Sequence, residues 1–316
     1  MMNVLVLGGT GLIGGHAALH LQSLGHRVTL GARKPAQAGS ALADLPFLAG
    51  DYIEDEGRGG FSAAQLSSFD ALLFAAGNDI RHVARDADAD AHWQRANVDG
   101  VPRFFRRARD AGIRRAVLVG SFYPQVDPSL IDRAPYVRSR HLSDVGVREL
   151  ADPDFHVCSV NAPFVVGSLP GLQVPMFDIY TRYALGQMPQ IPVYAPAGGV
   201  NFISTRSLSE AITGAFERGH AGTAYLVGDE NLTFSDYLST VFEAAGRPQA
   251  VPALDQEHPL LPDAMLYAGR GTLFHYDADE RERALLGYRR GDARAAIVEA
   301  VQRARQAIEG GDHGRH

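Results

Sequence analysis

Residues suited to phosphate chemistry cluster at the amino end. Gly8-Gly9-Thr10-Gly11-Leu12-Ile13-Gly14 follows the apolar run Asn3-Val4-Leu5-Val6-Leu7 and opens a stretch in which Ile13, Ala17, Leu21 and Leu24 recur at helical spacing. Glycines at 8, 11 and 14 permit a tight turn, close approach of the backbone to a pyrophosphate, and close packing of helix on strand. The phosphates would then lie at the positive end of the helix. A strand before and a helix after make this a dinucleotide site rather than a plain glycine-rich turn. Its cofactor-binding residues are read as Gly8, Thr10, Gly11, Leu12, Ile13 and Gly14. Downstream, the second apolar run ends Leu30-Gly31-Ala32-Arg33-Lys34, and no carboxylate occurs before Asp44. An acid here would hold a ribose 2′-hydroxyl, whereas a basic group accommodates a 2′-phosphate. Arg33 and Lys34 offer a planar fork beside a point charge, so the pair predicts NADP(H) over NAD(H). The bland alternative is a solvated turn.

Elements able to hold these groups are legible further along. Apolar runs recur at Arg27 to Leu30, around Phe47 and Leu48, at Ala71 to Ala75 and at Ala116 to Val119, with a sixth expected at Phe155 to Val160. Short continuous apolar runs suit strands buried on both faces. Helical stretches, notably His92 to Ala111, separate the later runs, and this alternation implies right-handed βαβ units. The fold class is therefore α/β, a Rossmann-type doubly wound parallel sheet with a smaller C-terminal α/β region that binds substrate. Past residue 162 the rhythm breaks. Residues 163–200 and 248–264 are proline-rich and read as loops and short elements. Leu208 to Phe216 reads as a helix, Ala224 to Val227 as a short strand and Ala295 to Ala307 as the last helix. Residues 1–165, with about 200–222, form the nucleotide-binding domain; 166–199 and 223–308 form the substrate region; 309–316 are expected to be a disordered tail.

The glycine spacing is GxxGxxG, and with it the sequence resembles the extended short-chain dehydrogenase/reductase family, which includes nucleotide-sugar epimerases and dihydroflavonol-reductase-like enzymes. The resemblance recurs along almost the whole chain. Gly50-Asp51 is similar to the segment whose aspartate contacts adenine, which implies cofactor roles for Asp51 and Tyr52. Ala75-Ala76-Gly77 stands where the family lines its cofactor, and Asn97-Val98-Asp99-Gly100 is similar to its Asn-Val-x-Gly motif. Asn161-Ala162-Pro163-Phe164-Val165-Val166-Gly167 is similar to Arg-Pro-x-x-Val-Tyr-Gly. Asn201-Phe202-Ile203 and Leu285-Leu286-Gly287-Tyr288 fit two later patterns. By resemblance Ala75, Ala76, Gly77, Asn97, Ala162, Pro163 and Phe164 join the cofactor-binding set.

The family transfers hydride with a Tyr-x-x-x-Lys pair on a helix and a Ser or Thr after the fifth strand. A carbonyl being reduced must receive a proton as hydride arrives, and a phenol near a cation can supply it. Four-residue spacing puts both side chains on one helix face. The resemblance assigns Tyr136 as acid/base and Ser121 as the group polarising the carbonyl. The lysine position holds Arg140. Its charge still stabilises a tyrosinate and its fork can bond ribose hydroxyls, but it cannot lose its proton. Arg140 is thus expected to clamp the cofactor. Tyr123 is the reserve proton donor.

The chain has 316 residues, 30 Lys+Arg against 36 Asp+Glu, 46% hydrophobic residues and one cysteine. Lys34 is the only lysine, all other basic residues apart from histidines being arginine. An acidic balance offers no footprint for nucleic acid, one cysteine builds no disulfide framework, and no run of about 18 apolar residues marks a membrane span. With no leader pattern, a cytoplasmic location is the expectation. Gly-x-Ser-x-Gly is absent, so no nucleophile elbow supports a hydrolase. His16 and His20 share a helix face but lack further ligands, so no metal is expected. Cys158 reads as a buried small hydrophobe. The substrate is expected among Tyr123, Met176, Phe177 and Tyr180, apolar side chains that alternatively form the small region's core. Arg182 and Arg206 are candidates for a diphosphate or carboxylate. The readings are NADPH-dependent reduction of a small carbonyl compound, nucleotide-sugar epimerisation or dehydration with retained cofactor, and a catalytically silent NADP-binding sensor. The resemblance implies a homodimer.

Overall fold

The computed structural model describes residues 1–84 and 86–312. Its main sheet has seven parallel strands. In spatial order they are Ala224–Leu226, β6 (His156–Ala162), β5 (Arg115–Ser121), β4 (Ala71–Phe74), β1 (Asn3–Leu7), β2 (Arg27–Ala32) and β3 (Phe47–Ala49). Chain order reverses between β1 and β4, so the crevice beyond their carboxyl ends is the switch point at which such sheets bind ligands. The strands read as unbroken apolar runs because both faces are covered. Val4 and Val6 pack into one layer with Ala17, Leu21, Leu208 and Ile212, while Leu5 and Leu7 pack into the other with Phe104, Phe105 and Val157. Alternate residues of one strand thus feed two cores.

Three expectations change. The strand Ala224–Leu226 pairs in parallel with β6, so it belongs to the nucleotide-binding sheet and not to the substrate region in which the sequence put it. The expected helix from His92 to Ala111 is three pieces: Ala89–Trp93, a π-helical turn over Gln94–Gly100, and Val101–Asp110. Residues 163–200, read as loops and short elements, hold a ten-residue helix, Pro175–Ala184. Pro175 opens it at a position where the missing amide is harmless and the fixed φ helps.

The C-terminal region has its own core, in which Tyr180, Tyr183, Phe202, Tyr237, Phe242 and Ile297 are buried. A small sheet crosses it, with Glu230–Thr233 antiparallel to Gly199–Ser204, and Leu273–Phe274 and Phe164–Val166 parallel to the same strand. The last helix, Ala293–Asp312, runs beyond the expected end at Ala307 and takes in the start of the expected tail; residues 313–316 of that tail lie outside the described residues. Among the described residues no helix is long and apolar enough to cross a membrane.

Candidate active site

The loop between β1 and the helix α1 (Leu12–Ser23) is built by exclusion of side chains. Gly8 has φ +76°, and a Cβ there would lie 2.7 Å from Ala76 N and 2.8 Å from Ala75 O, so the loop abuts the end of β4. Gly8 N–H donates to Gly31 O at 2.8 Å, tying the turn to β2 as well. A Cβ on Gly14 would meet Gly8 O at 2.4 Å. The constraint at Gly14 is therefore the turn's own carbonyl; close contact of α1 with the neighbouring layers falls to Gly15, whose Cβ would meet Leu42 at 2.6 Å. Gly11 is different. Its φ is −91° and its Cβ would make only an ordinary contact, 3.5 Å from Gly8 O. No protein atom demands glycine at 11, and no side chain caps the α1 amides beside it. A bare backbone at an uncapped helix start fits a pyrophosphate, so the residues present suit a dinucleotide.

Arg33 and Lys34 are exposed just past β2, and neither makes an ion pair among the described residues. Asp51 Oδ1 accepts from Ile53 N–H at 3.0 Å. Tyr52 is buried, with its ring edge-on to Phe74 at 5.0 Å between centroids. Its hydroxyl accepts from Asn78 Nδ2 at 2.6 Å. Burial pushes the Tyr52 phenol up to about 12, against the opposing pull of that hydrogen bond and of Arg140. Ala162 and Pro163 are buried at the end of β6, and Phe164 packs on Phe202 at 4.9 Å.

The helix Pro135–Arg148 carries the Tyr136/Arg140 pair. Pro135 starts it one residue before Tyr136, and the two side chains stand one turn apart on a shared face. Arg140 Nη2 donates to Val119 O at 2.9 Å, while Nη1 lies 3.5 Å from the Tyr136 hydroxyl. The guanidinium thus bridges β5 and the phenol, with Gly77 beside it: a Cβ there would be 3.9 Å from Nη1. Asn97 is buried in the π-helical turn. Its Nδ2 donates to Asn78 O at 3.2 Å and to Ser139 Oγ at 3.0 Å, and Ser139 Oγ donates to Tyr136 O at 2.7 Å. Asn97 therefore braces the Tyr136 helix against the segment that follows β4. Ser121 ends β5 opposite Ala162 in register, two residues past the carbonyl that anchors Arg140.

Rings surround Tyr136. Tyr267 stacks on it at 4.9 Å and 23°, Trp93 meets it edge-on at 5.5 Å, and Tyr123 packs against Tyr267 at 5.3 Å. Burial and the neighbouring phenol of Tyr136 push both Tyr123 and Tyr267 far above the ordinary tyrosine range. Trp93 and Tyr267 were not singled out by sequence. Trp93 had one signal, being the chain's only tryptophan and one turn before Asn97. Tyr267 had none, because its segment approaches Tyr136 only through the fold.

Other candidates are committed elsewhere. Phe177 and Tyr180 are core residues, the Tyr180 hydroxyl donating to Leu260 O at 3.0 Å, and Met176 packs partly buried against the same core. Arg206 pairs with Asp292 at 2.9 Å and Glu299 at 3.5 Å; Arg182 donates to Gln187 Oε1 at 2.9 Å. His16 Nδ1 lies 2.8 Å from Ser209 Oγ, and Cys158 is wholly buried. Among the described residues no three His, Cys, Asp or Glu side chains gather as a metal site.

Glycine turn, uncapped helix and the Tyr136/Arg140 pair gather at the carboxyl ends of β1, β4 and β5, and the sequence agrees with that geometry: residues 4–228 match the NAD dependent epimerase/dehydratase family. The chain belongs to this family. It is an NAD(P)-dependent enzyme of the extended short-chain dehydrogenase/reductase type. A Synechocystis protein provisionally named a dihydroflavonol 4-reductase is 24% identical over 262 residues, 77% of this chain and 72% of that one. Two solved structures share the fold. One is gox2253, with TM-score 0.75, 22% identity, and 96% of this chain and 98% of that chain covered. The other is UDP-glucose-4-epimerase from Stenotrophomonas maltophila, solved with NAD and a formylated UDP-arabinopyranose, with TM-score 0.73, 18% identity, and 99% and 100% covered. The match to the epimerase/dehydratase family takes in the glycine turn, Tyr136 and Arg140, and ends just past the strand Ala224–Leu226.

Proposed function

We propose that this family member is an NADPH-dependent carbonyl reductase acting on a small, largely apolar ketone or aldehyde. The observation that carries the reading is the Arg140 guanidinium, held on Val119 O and reaching the Tyr136 hydroxyl within a wall of aromatic rings. Gly8 to Gly14 would receive the pyrophosphate, and Arg33 with Lys34 the 2′-phosphate, as their exposed and unpaired state supports. The nicotinamide, when bound, supplies the hydride. Tyr136 gives its hydroxyl proton to the oxygen that becomes the alcohol, Arg140 balances the phenolate left behind, and Ser121 donates to the same oxygen. Tyr123 is a poor substitute donor because burial raises its phenol so far.

Nucleotide-sugar chemistry asks for cations at a diphosphate. Arg182 and Arg206 are both engaged with side chains of their own region, which favours the uncharged substrate. Oxidation of NADPH and NADH should be followed with alkyl and aryl ketones and aldehydes, with UDP-glucose as the contrasting substrate. NADPH turnover with the carbonyl compounds is expected, together with a loss of about 10²–10⁴ in kcat for Tyr136→Phe and unchanged NADPH binding. Turnover of UDP-glucose alone, on a co-purifying cofactor, would overturn the reading.

A further inference from the structure

A substrate of Tyr136 needs room beside that phenol, and the room on one face of its ring is taken. Tyr267 lies on the Tyr136 ring, 4.9 Å between centroids at 23°, and meets the ring of Tyr123 at 5.3 Å. Rings stacked at that distance touch, so no group enters between them. The charges of Tyr136, Arg140 and Asp79 all act on the Tyr267 phenol, as they would on a group standing in the substrate's place.

The segment that brings Tyr267 there is held lightly. Leu261 and Phe274 are sunk in the core of the C-terminal region, but from Pro262 to Leu273 no residue is buried. Its backbone bonds are mostly short-range: Met265 N–H donates to Pro262 O, Leu266 N–H to Asp263 O and Gly269 N–H to Leu266 O. Its roots are fixed by Gly271 N–H on Ala197 O at 2.9 Å and Asp263 N–H on Glu257 Oε1 at 3.1 Å. Charge closes the neck. Arg270 meets Asp263 at 3.0 Å and also Asp255 at 2.6 Å, an 87% exposed carboxylate just past the strand Ala253–Leu254. Gly269 and Gly271 have φ of +88° and +86°, and a Cβ on either would meet nothing within 4 Å. The result is a compact surface loop whose bends stand in open space and whose tip, Leu266, Tyr267 and Ala268, is only partly buried. An exposed ion pair is weak, and few buried contacts with local hydrogen bonds mark a segment that opens at low cost.

We propose that residues 263–270 form a lid whose Tyr267 fills the substrate's place on Tyr136 when the site is empty. Substrate enters as the lid lifts, with Arg270 leaving Asp255 and the backbone turning at Gly269 and Gly271, and the lid stays open while the site is filled. Substrate then binds only the open fraction, and its apparent affinity is reduced by that fraction. The inference rests on the carbonyl-reductase reading for what enters the site, but not for the motion itself.

Two measurements test it, the first without turnover. Cys158 is wholly buried, so Ala268→Cys adds one reactive thiol at the lid tip, and its rate of labelling by DTNB follows the open fraction. Adding Asp255→Asn, which cuts the latch, should speed labelling about twofold to fivefold, the range that loss of an exposed ion pair gives. An unchanged rate would mean a fixed wall and would overturn the proposal. The second measurement uses acetophenone or cyclohexanone, whichever is turned over. Its KM should fall about twofold to fivefold in Asp255→Asn and about threefold to tenfold in Tyr267→Ala, the stack that holds the lid being gone. With NADP⁺ present the same ketone should speed labelling of Ala268→Cys. A ring that merely lines the substrate gives the opposite signs, a raised KM in Tyr267→Ala and labelling slowed by the ketone, and either result would overturn the lid while leaving the reductase reading intact. Should no ketone consume NADPH, the reductase reading fails, and the effect of Asp255→Asn on labelling still judges the lid.

Discussion

At the residue scale the central substitution is arginine where the family places lysine. One guanidinium holds Val119 O with one nitrogen and approaches Tyr136 with the other. A lysine concentrates its three N–H donors on one nitrogen and lacks the planar fork that here spreads two nitrogens between these partners. Arg140→Lys should therefore retain turnover at about one-tenth of the wild-type kcat/KM, and Arg140→Met should fall by about 10²–10³, the charge beside the phenol being gone. Steady-state rates with NADPH measure both, and a Met variant as active as wild type would dismiss the clamp. Arg33→Asp makes the complementary point. A carboxylate there repels a 2′-phosphate and can hold a 2′-hydroxyl, so the KM for NADPH should rise about tenfold or more while NADH improves. Both positions were legible in the sequence because motif spacing fixes them. What Arg140 touches was not, since the anchoring carbonyl lies 21 residues away.

At the scale of elements, the glycine turn separates two demands that sequence alone merges. Gly14→Ala drives a methyl into Gly8 O, a backbone atom that cannot swing aside. It should destabilise the fold by about 1–3 kcal/mol, seen as a lowered Tm. Gly11→Ala places its methyl in ordinary contact distance, so Tm should hold while NADPH affinity falls by about tenfold or more. Melting curves with NADPH titrations read both, and the reverse pattern would assign the turn a purely structural role. Strands β1, β4 and β5 were visible because burial on both faces demands uninterrupted apolar residues. The π-helical turn at Gln94–Gly100 was hidden, because helical periodicity carries no mark of one extra residue per turn. That turn carries Asn97, whose amide braces the Tyr136 helix.

At the scale of the molecule, two histidines in the packed layers tie stability to pH. Burial lowers both His16 and His258 to about 4. His258 is wholly buried, taking the Leu260 amide on Nδ1 at 3.1 Å. A histidine whose folded pKa lies below its unfolded value of about 6.5 binds a proton only in the unfolded chain across the interval between. Their contribution is complete above pH 6.5 and is lost as pH falls from there toward 4, on the order of 2 kcal/mol each. Urea unfolding should show a lower midpoint at pH 5 than at pH 7; a flat profile would refute the assignment. The same scale decides the division of the chain. The strand Ala224–Leu226 completes the nucleotide-binding sheet, and Leu286 O lies where a Cβ on Gly214 would stand, so the C-terminal segment locks onto the helix Thr205–Arg218.

The sequence by itself determined the parallel sheet, the glycine turn, the position of Arg33 and Lys34 after β2 and the Tyr136/Arg140 spacing. Each is local: a run of apolar residues, a glycine that tolerates no side chain, or two residues one helical turn apart. Tertiary structure alone decided what faces Tyr136. Trp93 and Tyr267 reach it from segments 43 residues before and 131 after, and Phe177 and Tyr180 pack into the core instead. No short-range pattern encodes such meetings, because which apolar side chain lines a crevice and which fills a core depends on how distant elements pack, and both obey the same preference for leaving water.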